Sequence, residues 1–226
     1  VFWSNWSGLT DVVSAMQVQR GLGASKLAIS SVGGTINVLT KSTELTRGGK
    51  IAATVGNDGY MKNVVSYNTG EMDGGHALSL LFSHVEGDGY VNGTMFEGYN
   101  YFLGYGWESE DDKHNVQVIV TGAPQTHNQR TSSYFNMATA GDYEKYGIRY
   151  NYNHGYLDGQ EFNWRKNFYH KPIASVNWEW DINETTDLSA SAYYSVGRGG
   201  GTGDIGRLGG NYASSSRFRN AETGEV

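Results

Sequence analysis

The sequence has no cysteine, which excludes a disulfide framework and a thiolate metal site and suits an oxidising compartment, where a stray thiol is a liability. No stretch approaches the ~18 consecutive apolar residues of a membrane-crossing helix, and no charged n-region with an apolar h-region opens the chain. A basic balance is missing too: 17 Lys and Arg face 23 Asp and Glu, the net charge is −6, and the cations are scattered. That excludes nucleic acid as a partner, because such binding needs a basic footprint. Proline is scarce, at 2 residues, and aliphatic core formers are few. Against this stand 32 Gly, 16 Tyr and 6 Trp in 226 residues, a balance that argues against helices. A mean hydropathy of −0.51 does not imply solubility. A barrel strand spans a bilayer with about 10 residues, every second one apolar.

What is present is alternation with a period of two, from residue 50 onward. Residues 51–57 place Ile51, Ala53 and Val55 on one face, and 62–68 do the same with Val65 and Tyr67. In 76–85, Leu78, Leu80 and Phe82 oppose Ala77, Ser79 and Ser83, with Leu81 the exception. Residues 99–108 put Tyr99, Tyr101, Leu103, Tyr105 and Trp107 on one side, the pattern of a lipid–water aromatic girdle. Segments 114–122, 172–181 and 188–196 repeat the alternation, for seven expected strands. The links sort by parity. Residues 69–75, 109–112 and 183–187 are short, whereas 86–98, 123–171 and the Gly-rich run from 197 are long, with 57–60 the one short link on that side. Outer-membrane barrels are built this way, with short periplasmic turns and long extracellular loops. Residues 146–156 also alternate, and the parity makes them strand-like structure within the third long loop.

Chemical motifs are weak. Residues 201–206, GTGDIG, fit G-x-G-x-x-G but lead into no helical stripe that would present N–H groups to a pyrophosphate, so the expectation is a flexible loop. GLGASK lacks the ending of a Walker loop, the 6 histidines show no metal-ligand spacing, and the acidic GNDG, EGDG and EDD read as turns. No catalytic signature, metal site or cofactor site emerges, and an enzyme is not expected. The third long loop is dense in aromatics, among them Tyr134, Phe135, Tyr152 and Trp164, which suits either a ligand-recognition surface or a self-packed loop.

The opening stretch adds a resemblance. Val18, Arg20 and Gly21, followed by Gly33, Gly34, Ile36, Asn37, Thr40 and Lys41, resemble the end of the plug domain of TonB-dependent outer-membrane receptors. That pattern runs V-x-R-G-P, a Tyr-Gly pair, then G-G-x-I-N-x-x-T-K. The sequence departs from it at Leu22 and at Leu27-Ala28, and with its upstream VFWSNWSGL it is similar to a variant among Bacteroidota receptors. The resemblance implies an all-β architecture: residues 1–41 as the end of a plug, 42–49 as linker, and 50–226 as the first part of a transmembrane antiparallel barrel. About seven strands of a plugged 22-stranded wall would be present, with further strands expected after Val226 and more plug with a signal peptide before Val1.

It also implies that Arg20 holds the plug to wall carboxylates, for which Glu108, Glu179 and Asp181 face inward by register. The implied activity is active import of a scarce nutrient across the outer membrane of a Gram-negative bacterium, energised by TonB and its inner-membrane complex. Ferric siderophores come first as substrate, with cobalamin, haem and glycans behind. The alternatives are a non-transporting barrel or adhesin that uses the same loops, and a soluble carbohydrate-binding β-sandwich with the aromatic faces as its core.

Overall fold

A computed structural model of the chain describes residues 15–20, 34–39, 42–130, 138–203, 207–208, 211–212 and 219–226. The first two strands, β1 (Ala15–Arg20) and β2 (Gly34–Leu39), form an antiparallel hairpin sheet of their own. A 3₁₀ turn, Ser42–Glu44, precedes the main sheet. That sheet is an antiparallel meander of β3 (Gly48–Val55), β4 (Met61–Asn68), β5 (His76–Gly87), β6 (Phe96–Glu108), β7 (His114–Gly122), β12 (Ile173–Asn183) and β13 (Thr186–Ser195), each paired with its predecessor in that order. These are the seven strands expected from alternation, and the first begins at Gly48, inside the expected linker. Among the described residues this sheet is open, with β3 and β13 as its edges.

The wall continues past its long-loop end as a second tier. Strand β8 (Gln125–Asn128) pairs with β6 and with β11 (Lys166–His170), and β11 pairs with β14 (Arg198–Gly201). Each of these prolongs a neighbour across a short break, and the chain's 2 prolines, Pro124 and Pro172, occupy two of those breaks. Proline has no N–H to give a ladder, so it interrupts pairing without unpairing the strands beside it. Here Pro124 and Pro172 still accept through their carbonyls, from Tyr99 N at 2.9 Å and Ser195 Oγ at 2.8 Å. The third long loop is therefore shorter than expected, and Arg198–Gly201 of the expected long Gly-rich run from 197 is strand.

Within that loop the alternation of residues 146–156 does not make a strand throughout. Thr139 caps a short helix, α1 (Ala140–Tyr146), in a reciprocal capping box with Asp142, and Gly147 at φ 91° ends it. Only after a turn does a small hairpin follow, β9 (His154–Leu157) with β10 (Gln160–Asn163). The last pair of strands, β15 (Arg207–Leu208) and β16 (Asn211–Tyr212), is minimal.

The two faces of the wall differ as the pleat requires. One face aligns apolar residues row by row: Ile51, Val65 and Phe82; Leu80, Leu103, Val120 and Ala174; Leu78, Tyr105, Val118 and Val176. Most of these are exposed, Ile51 by 86% and Phe82 by 53%, and Tyr105, Val118 and Val120 are half-buried, a pattern that water does not favour for so continuous a patch. The other face carries Ser79, Ser83, Asn100, Gly104, Gly106 and Gln117. Leu81, the exception to alternation, lies opposite Phe102 and joins Val64 in a small buried cluster on this face. Beside it docks the 3₁₀ turn: Gln117 Oε1 accepts from Ser42 N at 3.3 Å, and a Cβ on Gly104 would lie 2.5 Å from Ser42 Oγ. The small residues of β6 thus make the recess that receives the chain entering the wall.

Candidate functional site

Three regions gather polar chemistry, two of them on the sheet, where register positions them, and one in the loops beyond it. The first lies on the recessed face at the short-turn end. Glu108 pairs across the ladder with Asn115, Asn115 with Glu179, and Asp181 with Asp187. Glu108, Glu179 and Asp181 therefore come together on one face, around a cavity of about 410 Å³ that Asp112, Lys113 and Asp187 also line. It is the same face that holds Ser42. Arg20 ends β1 opposite Gly34, and Val18 and Gln17 pair with Ile36 and Asn37, so the hairpin brings the two halves of the opening motif into register. Gly21 and Gly33 lie outside the described residues.

The second region is the crown of long loops. Asp58 sits at φ 56° in the tight link after β3, and its neighbour Gly59 at φ 68°. Asp58 O accepts from Asp88 N at 2.9 Å, and Arg149 Nη1 donates to Asp58 Oδ1 at 2.7 Å. Three outer loops are so tied together. Buried asparagines do the rest: Asn151 Nδ2 donates to Asn92 O at 2.8 Å, Asn153 Nδ2 to Gln129 O at 3.1 Å, and Asn163 Nδ2 to Gly93 O at 2.8 Å. An amide offers donors and an acceptor together, so it can satisfy loop backbone that has no ladder. Residues 219–226 clamp the third loop from above. Arg219 lies 3.5 Å from the Tyr152 ring centroid and donates to Tyr150 Oη and to Gly224 O, while Val226 N donates to His154 O at 3.0 Å.

Burial raises the Tyr150 phenol above its ordinary pKa, with Arg219 opposing. The Thr139 backbone N–H, then its hydroxyl, hold the Asp142 carboxyl below the usual carboxylate range. At the opposite end of the wall, Ser109 and the Lys113 backbone do the same for Asp111.

The crown encloses a polar cavity of about 400 Å³, lined by Asp58, Asp88, Arg149, His154, Glu161 and Glu225 among others. Of the aromatics singled out by sequence, Tyr152 is engaged beneath Arg219, and Trp164 meets Phe162 edge to face at 6.2 Å while its backbone N–H bonds Asn153 O. Tyr134 and Phe135 lie outside the described residues.

The third region went unseen in the sequence. His84 Nε2 lies 3.1 Å from Glu97 Oε1 and 3.9 Å from Glu86 Oε2. The 6 histidines show no helical or loop metal spacing, but H-x-E on a strand puts both side chains on one face, and the ladder adds Glu97 opposite Glu86. The readable signal was the spacing of two.

Aromatic clusters mark both ends of the apolar face. At the short-turn end His114 stacks on Trp178 and Trp180, whose rings lie 5.9 Å apart, and His76 bonds Tyr105 Oη at 2.8 Å. At the other end are Phe82, Tyr99 and Tyr101, the last bonded to His170 at 2.9 Å. Eight residues at about 3.4 Å each, tilted as barrel strands are, separate the ends by on the order of 20 Å of height.

Compared with known proteins, the sequence matches no protein-family model and no curated protein. Its fold is similar to the crystal structure of the ferric-catecholate import receptor Fiu from E. coli K12 in its open form, with a TM-score of 0.59 and 16% identity over 81% of this chain and 28% of that one. The chain thus has the fold of part of such a receptor and spans 28% of its length. Among the described residues the sheet is open, as a partial barrel wall is.

Proposed function

We propose that this chain is the end of the plug and the first part of the barrel of a TonB-dependent importer in the outer membrane of a Gram-negative bacterium. The observation that carries the reading is the two-faced wall: an apolar outward face bounded by aromatics, and an inward face recessed to receive the 3₁₀ turn that follows the motif-bearing hairpin. A soluble sandwich would bury the apolar face. The receptor of similar fold is a ferric-catecholate importer, which favours a ferric siderophore as substrate ahead of cobalamin, haem or glycans. Arg20 holds the plug to Glu108, Glu179 or Asp181, and TonB with its inner-membrane complex supplies the energy. The interlocked crown is the ligand-binding surface, Tyr134, Phe135, Tyr152 and Trp164 being its aromatic contributors. Loops held in place before binding cost less to order on binding. No catalytic role is part of this reading.

Uptake of labelled ferric siderophores, cobalamin and haem by cells with and without the gene tests it. Accumulation that needs both the gene and an energised inner membrane is expected. Gene-dependent surface binding with no energy-dependent accumulation would instead favour a non-transporting barrel or adhesin.

A further inference from the structure

We propose that His84, Glu86 and Glu97 form a binding site for a divalent first-row transition cation, with Zn²⁺ the ion that best matches their ligand set. One imidazole nitrogen and two carboxylate oxygens lie within 4.8 Å of one another. In a tetrahedral zinc site with bonds of about 2.0–2.1 Å, neighbouring ligand atoms stand roughly 3.4 Å apart. The distances of 3.1 Å and 3.9 Å bracket that value. With all three ligand atoms already within 4.8 Å of one another, side-chain rotation would complete three corners, leaving the fourth for water.

Three further observations support the site. Glu86 and Glu97 stand directly opposite each other on one face. Like charges in that arrangement destabilise a sheet, and a cation between them reverses the sign. Tyr99, opposite His84, serves both flanking ligands at once: its hydroxyl donates to Glu97 Oε1 at 2.7 Å, and its ring stacks on the imidazole at 4.5 Å. Partners of this kind fix ligand orientation in metal sites. The ligands also sit on the two longest strands, β5 and β6, of 12 and 13 residues, and the side chains of His84, Glu86 and Glu97 are 23%, 42% and 50% exposed, so an ion can reach a rigid frame. The site needs only these two strands and stands apart from any transport role.

Zn²⁺ titration of the detergent-solubilised protein, followed calorimetrically, tests it. One Zn²⁺ per chain is expected at micromolar concentration, with affinity at least tenfold lower in His84→Gln and in Glu97→Gln and unchanged in His114→Gln. Should a variant lose its β-sheet circular dichroism, anomalous scattering at the zinc edge from wild-type crystals decides, with a peak expected between the three side chains. Failure to bind stoichiometrically, affinity unaltered in both variants, or a peak elsewhere would overturn the site.

Discussion

The wall and the crown keep the same polar backbone satisfied by different means. In the wall every strand from β4 to β12 has a partner on each side, so hydrogen bonding is met by register alone and the side chains of one face are free to be apolar. In the crown there is little ladder. Asn151, Asn153 and Asn163, buried to 3%, 3% and 7% exposure, carry the bonds that strands would otherwise make. The difference teaches where substitution is tolerated. The wall should resist change in its hydrogen bonding and be sensitive to polarity on its outward face, whereas the crown should tolerate outward changes and fail when one amide is lost.

The largest expected effect breaks the comparison on the wall. Leu103 sits mid-row on the outward face, between Leu80 and Val120, and Asn177 on the inward face between Gln117 and Ser191. Leu103→Arg should destabilise the folded protein in bilayers by about 2–4 kcal/mol, the cost of a cation facing lipid near the midplane. Asn177→Arg should cost far less. Urea titrations of protein folded into vesicles measure both, and equal losses would remove the distinction between the faces.

A smaller effect is expected in the crown. Asn163→Ala deletes the bonds to Gly93 O and Gln129 O at 2.8 and 3.2 Å; Gln129 O keeps Asn153 Nδ2, but the buried Gly93 carbonyl loses its donor at a cost of roughly 1–3 kcal/mol. Hydrogen exchange should then quicken in residues 88–95 and 151–165 while β5, β6 and β7 keep their protection. Loss of protection in both regions together would show that crown and wall unfold as one.

The smallest effect is a pH dependence of the crown's helix α1. The Asp142 carboxyl is held low by Thr139, so its contribution to α1 is fully present above the unfolded carboxylate pKa and is lost as pH falls through the lower folded value. Intrinsic-rate-corrected exchange of residues 140–146 should rise on acidification through that range, and Asp142→Asn should remove most of that dependence. An unchanged profile in the variant would assign the effect elsewhere.

How much was legible follows the same division. Period two is a local property of the chain, and each wall strand could be read from its own residues. Even the misfit Leu81 was a readable sign of an apolar spot on the inward face, although its partner Phe102 lies across the ladder. The crown was not legible because its contacts join distant residues: Asn151 reaches 59 positions back to Asn92, and Asn163 reaches 70 back to Gly93. Aromatic density drew attention to Tyr152 and Trp164, but asparagines and arginines determine how the loops interlock. Residues 146–156 misled for a related reason. Their Tyr-x-Ile-x-Tyr-x-Tyr spacing imitates a strand, while the decisive signals were the cap at Thr139 and the glycine at 147. His84 and Glu86 escaped notice because their ligand spacing belongs to a strand.

The absence of cysteine makes the central claim directly measurable, since each introduced thiol is unique. Single cysteines placed in turn at positions 78 to 81 and 103 to 106, in protein reconstituted into bilayers, can be challenged with a water-soluble thiol reagent. Outward positions such as Leu78, Leu80, Leu103 and Tyr105 should be protected and should contact a lipid-borne quencher. The intervening positions should escape the quencher. A strict alternation of quenching along both strands is the predicted result; quenching that is uniform or absent along β5 and β6 would contradict the account of a membrane wall.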